Sequence, residues 1–314
     1  CMKVIFFGNT DFAVASLDHL IKDGVDIVGV VNSPDKPGGR GLKEMISSEI
    51  YKYASGTNLK IYQPKNLKSP IFLKKINKLN ADLFIVVAFR MMPAILWEIP
   101  KLGTINLHGS LLPAYRGAAP INWAIINGEK VTGITIFFLD KKIDTGKVIH
   151  QKEVEISEED NFGSLYDKLK HIGANELSKI TVNLLNGPLE GIKQNENLVS
   201  HAPKLNKENT EIDFNKNAIQ IVNLCRGLDP YPTAWFTFDG LKMKVFRCTE
   251  SFEHVNNAQW ESDYKTFLRM SCANGAVNLE DVQMEGKKRM LIKEFLNGYG
   301  QKLKKLQMNN LSDS

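Results

Sequence analysis

The sequence is poor in cysteine, and the few cysteines it has lie far apart. Its 314 residues include four of them, Cys1, Cys225, Cys248 and Cys272, without a C-x-x-C pair. Zinc sites and disulfide frameworks are built from closely spaced or numerous cysteines. We therefore expect no metal centre, no disulfide framework, and a reducing, cytoplasmic setting for the chain.

Long apolar runs are also absent. No stretch of apolar residues approaches the length that a bilayer-spanning helix requires. The apolar run Val4–Phe7 follows directly on Met2 and Lys3, without a separate charged leader or a small-residue cleavage site. We therefore predict a strand there rather than a signal peptide, and we expect no membrane partner.

The chain lacks the glycine patterns that bind common nucleotide cofactors. After the first apolar run it reads Gly8-Asn9-Thr10-Asp11, without the second and third glycines that let a dinucleotide pyrophosphate approach the backbone. A phosphate-binding G-x-x-x-x-G-K-[ST] loop is missing as well. NAD and ATP are therefore not expected as cofactors.

The overall composition is that of a globular protein. Hydrophobic residues make up 43% of the chain and charged residues 24%, a balance that does not indicate disorder. The length suits two domains of ordinary size. A net charge of +5 is compatible with an anionic partner without requiring one.

Apolar runs alternate with amphipathic segments through the first two-thirds of the chain. Helices are predicted over residues 12–22 and 70–79, between runs that are apolar without alternation. Strands of that kind are covered on both faces and form parallel sheets. The predicted fold class is therefore α/β, with a doubly wound, Rossmann-like, mostly parallel sheet. The strand segments are residues 4–7, 25–31, 81–88, 104–108 and 134–139.

The pattern changes in the last third. Residues 187–205 are polar and rich in Gly, Pro, Asn and Gln, so we expect a linker between a domain of residues 1–186 and a smaller domain of residues 206–314. Short strand-like segments then follow a predicted helix over residues 217–226. The second domain is therefore expected to be β-rich, an OB-like β-barrel. Basic residues near its end suit either a solvated surface or a nucleic-acid contact.

The segment Thr104–Pro113 contains the first candidates for chemistry. Asn106 and His108 are two residues apart in a predicted strand, so their side chains point to the same face. Open α/β sheets bind their ligands at the carboxyl ends of such strands. The pair is equally compatible with two polar side chains that satisfy each other or the backbone.

A third candidate is Asp144, in the turn Asp144-Thr145-Gly146 after an apolar strand. An Asp in such a turn often does no more than accept hydrogen bonds from nearby backbone N–H groups. Alternatively, Asp144 folds back toward His108, where a carboxylate favours the cationic imidazole and can receive a proton through water.

Together, these motifs resemble those of the formyltransferases that use 10-formyltetrahydrofolate. The resemblance rests on residues 106–113, 115–121 and 144–146 and extends over nearly the whole chain. Three features resemble most the branch whose acceptor is initiator Met-tRNA: the loop 34–41, the Gly-Ala-Ala-Pro of residues 117–120 and the segment 229–235. One departure is the turn after the first strand, where relatives read Gly-Thr-Pro and this chain reads Gly8-Asn9-Thr10.

The resemblance implies transfer of a formyl group from 10-formyltetrahydrofolate, without a metal or NAD, to the methionine amine of initiator Met-tRNA. Asn106 and His108 would stabilise the oxyanion of the tetrahedral intermediate, and Asp144 would tune His108 and relay the proton. A nucleotide-linked amino sugar is the alternative acceptor; hydrolysis of formyltetrahydrofolate and a vestigial tRNA-binding protein are weaker options. We expect a monomer.

The resemblance also assigns binding residues. The folate-binding residues are Ser110, Leu111, Leu112 and Pro113, with Phe89, Arg90, Met91 and Met92 around the pterin. The Leu112–Pro113 bond is a candidate cis peptide, since such bonds persist in sharp turns. The predicted tRNA-binding residues are Arg40, Lys36 and Lys43 in a glycine-flanked loop, and Lys287, Lys288 and Arg289 near the C-terminus.

Overall fold

A computed structural model describes residues 2–39, 41, 43–253, 255 and 259–312 of the chain. The chain divides into two compact units. Unit 1 comprises the described residues of Cys1–Pro120, Val131–Glu155 and Tyr166–Ala202, and unit 2 those of Ile121–Lys130, Ile156–Leu165 and Pro203–Ser314. The domain boundaries expected at residues 186 and 205 stay a prediction.

Helices and strands are interspersed through the first 202 residues. In chain order they are β1 (Lys3–Gly8), α1 (Asp11–Lys22), β2 (Asp26–Val31), β3 (Lys36–Gly38), β4 (Glu44–Ile46), α2 (Glu49–Ala54), β5 (Ile61–Tyr62), α3 (Pro70–Lys78), β6 (Leu83–Val87), α4 (Ala94–Trp97), β7 (Thr104–His108), β8 (Arg116–Gly117), α5 (Pro120–Ile126), β9 (Val131–Phe138), β10 (Val148–Glu155), α6 (Phe162–Asn183) and β11 (His201–Ala202).

Seven of these strands form one sheet, in the order β10-β9-β7-β6-β1-β2-β5. The pairs from β7 to β5 are parallel, while β9 runs antiparallel to both β7 and β10. Strand β6 is buried along its whole length, and β1 is buried after its first residue. The mostly parallel sheet predicted from unalternating apolar runs is therefore confirmed.

The position of β7 determines where the candidate residues lie. In register, Asn106 lies opposite Val86 of β6 and Phe137 of β9, and His108 lies opposite Thr135 of β9. Because β1, β6 and β7 are parallel, their carboxyl ends meet at one edge of the sheet, and the loops that follow them begin there. Residues 88–93 and 109–115 are two of these loops.

The remaining elements belong to unit 2, and their main sheet is antiparallel. They are α7 (Ala218–Leu228), β12 (Ala234–Phe238), β13 (Leu241–Ser251), β14 (Trp260–Ser262), β15 (Leu268–Cys272), β16 (Gly275–Met284), β17 (Met290–Leu291) and α8 (Ile292–Ser312). The strand order is β12-β13-β16-β15-β14, and β17 pairs with β16. The β-rich C-terminal domain is confirmed, whereas the sequence analysis predicted neither β14 nor α8.

Unit 2 has an apolar core of its own. Side chains of the sheet pack with those of α7 and α8, among them Met243, Val282, Leu228 and Phe295. Among the described residues, none of the helices combines the length and apolarity needed to cross a membrane.

Candidate active site

His108 lies at the carboxyl end of β7 and is only 8% exposed. Its Nε2 is 2.9 Å from the carbonyl oxygen of Tyr115. Because a carbonyl only accepts hydrogen bonds, Nε2 must carry the hydrogen. The other ring nitrogen, Nδ1, faces Asp144, with 3.8 Å between Nδ1 and Oδ2. The ring therefore presents Nδ1 toward a carboxylate, held in that orientation by the Tyr115 carbonyl.

Asp144 is held in place by the backbone of β8. Its Oδ2 accepts a hydrogen bond of 2.9 Å from the N–H of Gly117. Its own backbone has a positive φ of 55°, a conformation that Asp tolerates better than most residues. The two alternatives for Asp144 thus coexist: it accepts from a backbone donor and also lies beside His108.

Asn106 differs from its neighbours in that its carboxamide is not engaged. The residue is half-buried. In the described part of the chain, the side chain has no hydrogen-bond partner, so its N–H groups are available to a ligand. Since Asn106 and His108 share a face of β7, a free amide donor stands beside the imidazole.

The loop after β7 contains the first four predicted folate residues. Its conformation is fixed by Thr135, whose hydroxyl donates to the Ser110 carbonyl (2.6 Å) and accepts from the Leu112 N–H (3.0 Å). The Ser110 hydroxyl donates to the Ala114 carbonyl at 2.6 Å. The Leu112–Pro113 bond is cis, as predicted. Leu111 and Pro113 are half-buried and Leu112 is buried.

Gln151 completes this arrangement from β10. Its Nε2 donates to the Leu112 carbonyl at 2.8 Å and to the Thr135 hydroxyl at 2.9 Å. Sequence reasoning missed both Thr135 and Gln151. A hydroxyl within the apolar run 134–139 was the only signal available for Thr135, and no local pattern distinguished Gln151.

In the other predicted folate segment, Phe89–Met92, the side chains differ in burial and in their contacts. Met92 is buried in an apolar cluster against which Phe89 packs, whereas Met91 is 73% exposed. The Arg90 guanidinium donates to the carbonyls of Lys65 and Pro64, and burial lowers its pKa. Met91, Met92 and Arg90 line a cavity of about 390 Å³.

A network of polar side chains connects β8 to the segment before β11. Arg116, which is 7% exposed, donates to the side chains of Gln194 and Glu196. The hydrogen bond from Arg116 lowers the pKa of the Glu196 carboxyl. The sequence analysis placed residues 187–205 in a linker and assigned no role to these side chains.

The predicted tRNA-binding residues have different surroundings. Arg40 lies outside the described residues. Lys36, Lys43, Lys287 and Lys288 are exposed. Arg289, by contrast, is paired with the Asp281 carboxylate at 2.8 Å and lies 3.8 Å over the Phe246 ring. Its guanidinium also lies 3.7 Å from Asp229.

The chemistry that this site supports is acyl transfer. An unengaged amide donor, an oriented imidazole and a carboxylate stand at the sheet edge where ligands bind in open α/β folds. Within the described residues, no group of three or more His, Cys, Asp or Glu side chains is arranged to hold a metal ion.

Fold and site together define the class of protein. A family model described as "Formyl transferase" matches residues 2–181, and one described as "Formyl transferase, C-terminal domain" matches residues 204–300. The chain belongs to the formyltransferase family, as its motifs predicted.

Within this family, the chain is most informatively compared with methionyl-tRNA formyltransferases. The one from Azobacteroides pseudotrichonymphae is 44% identical over 309 residues, which cover 94% of this chain and 95% of the relative. The one from Flavobacterium johnsoniae is 45% identical over 303 residues, covering 95% and 96%.

A solved structure shows the same fold at lower identity. The N-formyltransferase from Helicobacter canadensis, in complex with folinic acid and dTDP-3-aminofucose, superposes with a TM-score of 0.68 at 23% identity. The superposition covers 90% of this chain and all of that one.

Proposed function

We propose that the chain transfers the formyl group of 10-formyltetrahydrofolate to the α-amino group of methionine on initiator Met-tRNA. The product, formylmethionyl-tRNA, serves translation initiation. The observation that carries this proposal is the identity of 44% across 94% of the chain with a methionyl-tRNA formyltransferase. The unengaged Asn106 beside the His108–Asp144 pair supplies the chemical groups for the reaction.

The α-amino nitrogen attacks the formyl carbon, and the carbonyl oxygen becomes an oxyanion. Asn106 donates a hydrogen bond to this oxyanion through the carboxamide N–H groups that have no partner in the protein. One such donor is worth about 3 kcal/mol of transition-state stabilisation where it has been measured. Asn106 is therefore the residue through which the protein lowers the barrier to attack.

His108 and Asp144 manage the proton. A free α-amino group has a pKa of about 8, so about one-tenth of it is already unprotonated at pH 7, but it must lose a proton after attack. Nδ1 of His108 takes that proton, since Nε2 keeps its own for the Tyr115 carbonyl. The imidazolium then lies 3.8 Å from the Asp144 carboxylate, which stabilises it. Collapse of the intermediate breaks the bond from the formyl carbon to N10 of the folate, and N10 receives the proton.

The folate would be bound by the loops at the sheet edge. In this proposal, residues 110–113 contact the co-substrate beside Asn106, and residues 89–92 surround the pterin with main-chain groups. Thr135 and Gln151 hold the first loop in one conformation through their hydrogen bonds to Ser110 and Leu112. A preformed loop reduces the conformational entropy lost on binding.

The tRNA would be bound through basic residues. We assign phosphate contacts to Lys36 of β3, to Arg40 and Lys43 further along the chain, and to Lys287 and Lys288. Exposed lysines without carboxylate partners are suited to that task. Arg289 is assigned a stabilising role in unit 2 because carboxylates already pair with it. A cytoplasmic monomer is part of the same proposal.

The test is an acceptor assay with the purified chain and 10-formyltetrahydrofolate. Initiator Met-tRNA, a dTDP-linked amino sugar and water are offered as competing acceptors, and products are separated by acid gel electrophoresis and chromatography. We expect formylmethionyl-tRNA as the dominant product. A formylated sugar would assign the chain to the sugar enzymes, and release of formate without a formylated product would identify a hydrolase.

A further inference from the structure

The carboxamide of Gln194 supports the turn that contains Asp144. Gln194 is 6% exposed, and its Nε2 donates to the carbonyls of Asp144 and Gly146, at 2.9 and 2.8 Å. These two carbonyls lie on either side of Thr145. Both N–H groups of the side chain are therefore used to hold the turn.

Arg116 fixes the orientation of that carboxamide. Its Nε and Nη2 donate to Oε1 of Gln194, at 3.1 and 2.7 Å. A guanidinium only donates hydrogen bonds, so the oxygen of Gln194 must face Arg116 and its nitrogen must face the turn. The far side of the guanidinium donates to Glu196, at 2.9 and 3.2 Å.

The same stretch of backbone holds the reacting side chains. The Tyr115 carbonyl accepts from His108, and the Gly117 N–H donates to Asp144. Arg116 lies between Tyr115 and Gly117 in the sequence. Its side chain donates to Gln194, which in turn donates to the carbonyl of Asp144. His108 and Asp144 therefore both hydrogen-bond to the backbone of residues 115–117. The Arg116–Gln194 pair connects this segment to the turn at Asp144.

We propose that Gln194, oriented by Arg116, positions Asp144 against His108. This inference rests on the proposed function, in which Asp144 stabilises the imidazolium. A misplacement of about 1 Å in a reacting constellation can reduce a rate 100-fold. Gln194 is a positioning residue, because it reaches the chemistry only through Asp144.

The decisive variant is Gln194→Glu, which has nearly the same shape. A second carboxylate oxygen replaces the N–H donors and repels the carbonyls of Asp144 and Gly146, while the contact with Arg116 is kept. We expect kcat for formylation to fall about 30-fold, with KM for folate and for tRNA changed by less than about threefold. In an Asp144→Asn background, the same substitution should produce no further loss, since residues that act as a unit are not additive.

Two further variants keep the test interpretable. Arg116→Lys retains the charge but loses the paired hydrogen bonds, so we expect kcat to fall about fivefold, again only when Asp144 is present. Asn77→Asp is the matched control: the Asn77 carboxamide also donates to a backbone carbonyl in unit 1, that of Leu73 at 3.0 Å, and none of the described contacts links it to Asp144. Its kcat should stay within about twofold of wild type.

The outcomes separate this inference from the proposed function. If Gln194→Glu lowers kcat by the same factor with and without Asp144, or leaves it unchanged, Gln194 does not position Asp144 and the inference is wrong. If Asp144→Asn alone keeps the wild-type kcat, the role proposed for Asp144 fails, and the positioning role fails with it. Formation of formylmethionyl-tRNA by the wild type reports on the proposed function independently of both.

Discussion

The site at the edge of the unit 1 sheet and the charged surface of unit 2 differ in how their polar side chains are paired. At the edge of the unit 1 sheet, the Asn106 carboxamide has no partner in the described protein, and His108 faces Asp144 at 3.8 Å, beyond hydrogen-bond distance. In unit 2, several charged groups are neutralised in close pairs. Arg289 is bound by Asp281, Lys302 lies close to Asp239, and Arg269 lies close to Glu261.

This difference separates side chains that stabilise the fold from side chains that are left to bind a ligand. Paired charges satisfy one another and contribute mainly to stability. The amide of Asn106 is unengaged, and the Asp144 carboxylate lies just beyond hydrogen-bond distance of the His108 imidazole. Such groups can still bind atoms that develop charge during a reaction. The unengaged groups at the unit 1 sheet edge are therefore suited to the proposed chemistry, and among the described residues of unit 2 the unpaired lysines are suited to an anionic partner.

The largest effect is expected from Asn106→Ala. This change removes the unengaged donor in unit 1 without breaking a protein hydrogen bond, so stability should be almost unchanged. We expect kcat to fall about 100-fold or more, because the oxyanion loses its neutral donor. Steady-state kinetics with thermal unfolding as the control measure both quantities. A large drop in melting temperature, or a kcat near wild type, would show that Asn106 serves the stability of unit 1 rather than the reaction.

A smaller effect is expected from the basic residues of unit 2. Replacing both Lys287 and Lys288 by Ala should raise KM for tRNA about fivefold and weaken its salt dependence, with little change in stability. Arg289→Ala should instead lower the free energy of unfolding by about 1 kcal/mol, because Asp281 and Phe246 lose their partner. A larger rise in KM for tRNA in Arg289→Ala than in the double lysine variant would show that pairing with a carboxylate does not exclude nucleic-acid contact.

The smallest effect concerns Asp229 in unit 2, whose Oδ1 lies 3.7 Å from the Arg289 guanidinium, farther than the Asp281 carboxylate does. Burial raises the pKa of this carboxyl above its ordinary value of 3.8, although Asn161 donates to it. One of its oxygens, Oδ1, is buried without a hydrogen-bond partner. The folded state therefore favours the protonated form, and this contribution to stability is lost as pH rises through the folded pKa.

Asp229→Asn should remove that pH dependence. Relative to the variant, the wild type should lose stability between about pH 4 and pH 7, by less than about 1 kcal/mol because the group is partly solvated. Urea unfolding of both proteins at the two pH values tests this difference. A wild type that gains stability relative to the variant over the same range would show that Arg289 outweighs burial at Asp229.

Short-range patterns were sufficient to predict part of the site. The spacing of Asn106 and His108 in an apolar strand predicted their shared face, because side-chain direction alternates with a period of two. The unalternating runs predicted the parallel sheet and hence the edge at which these residues lie. The approach of Asp144, which follows a different strand, was one of two alternatives until the structure gave its distance from His108.

The supporting residues were beyond such patterns. Gln194 contacts Arg116 across 78 residues of sequence, and Gln151 contacts Leu112 across 39. No local period links them, and a polar, glycine-containing stretch predicts a linker whether or not one of its glutamines is buried. Arg289 illustrates the converse: a cluster of basic residues predicts an anion site, but only tertiary structure reveals which member already has a carboxylate.

The central claim is that His108, oriented by Tyr115 and faced by Asp144, moves the proton during formyl transfer. Single-turnover formylation of Met-tRNA by excess enzyme tests it most directly, with His108→Ala compared with His150→Ala. His150 is the matched control, since it also faces a carboxylate in unit 1, that of Glu176, but lies outside the site. We predict a single-turnover rate at least about 100-fold slower for His108→Ala and near wild type for His150→Ala, with folate affinity retained in both. A rate for His108→Ala close to wild type would contradict the account.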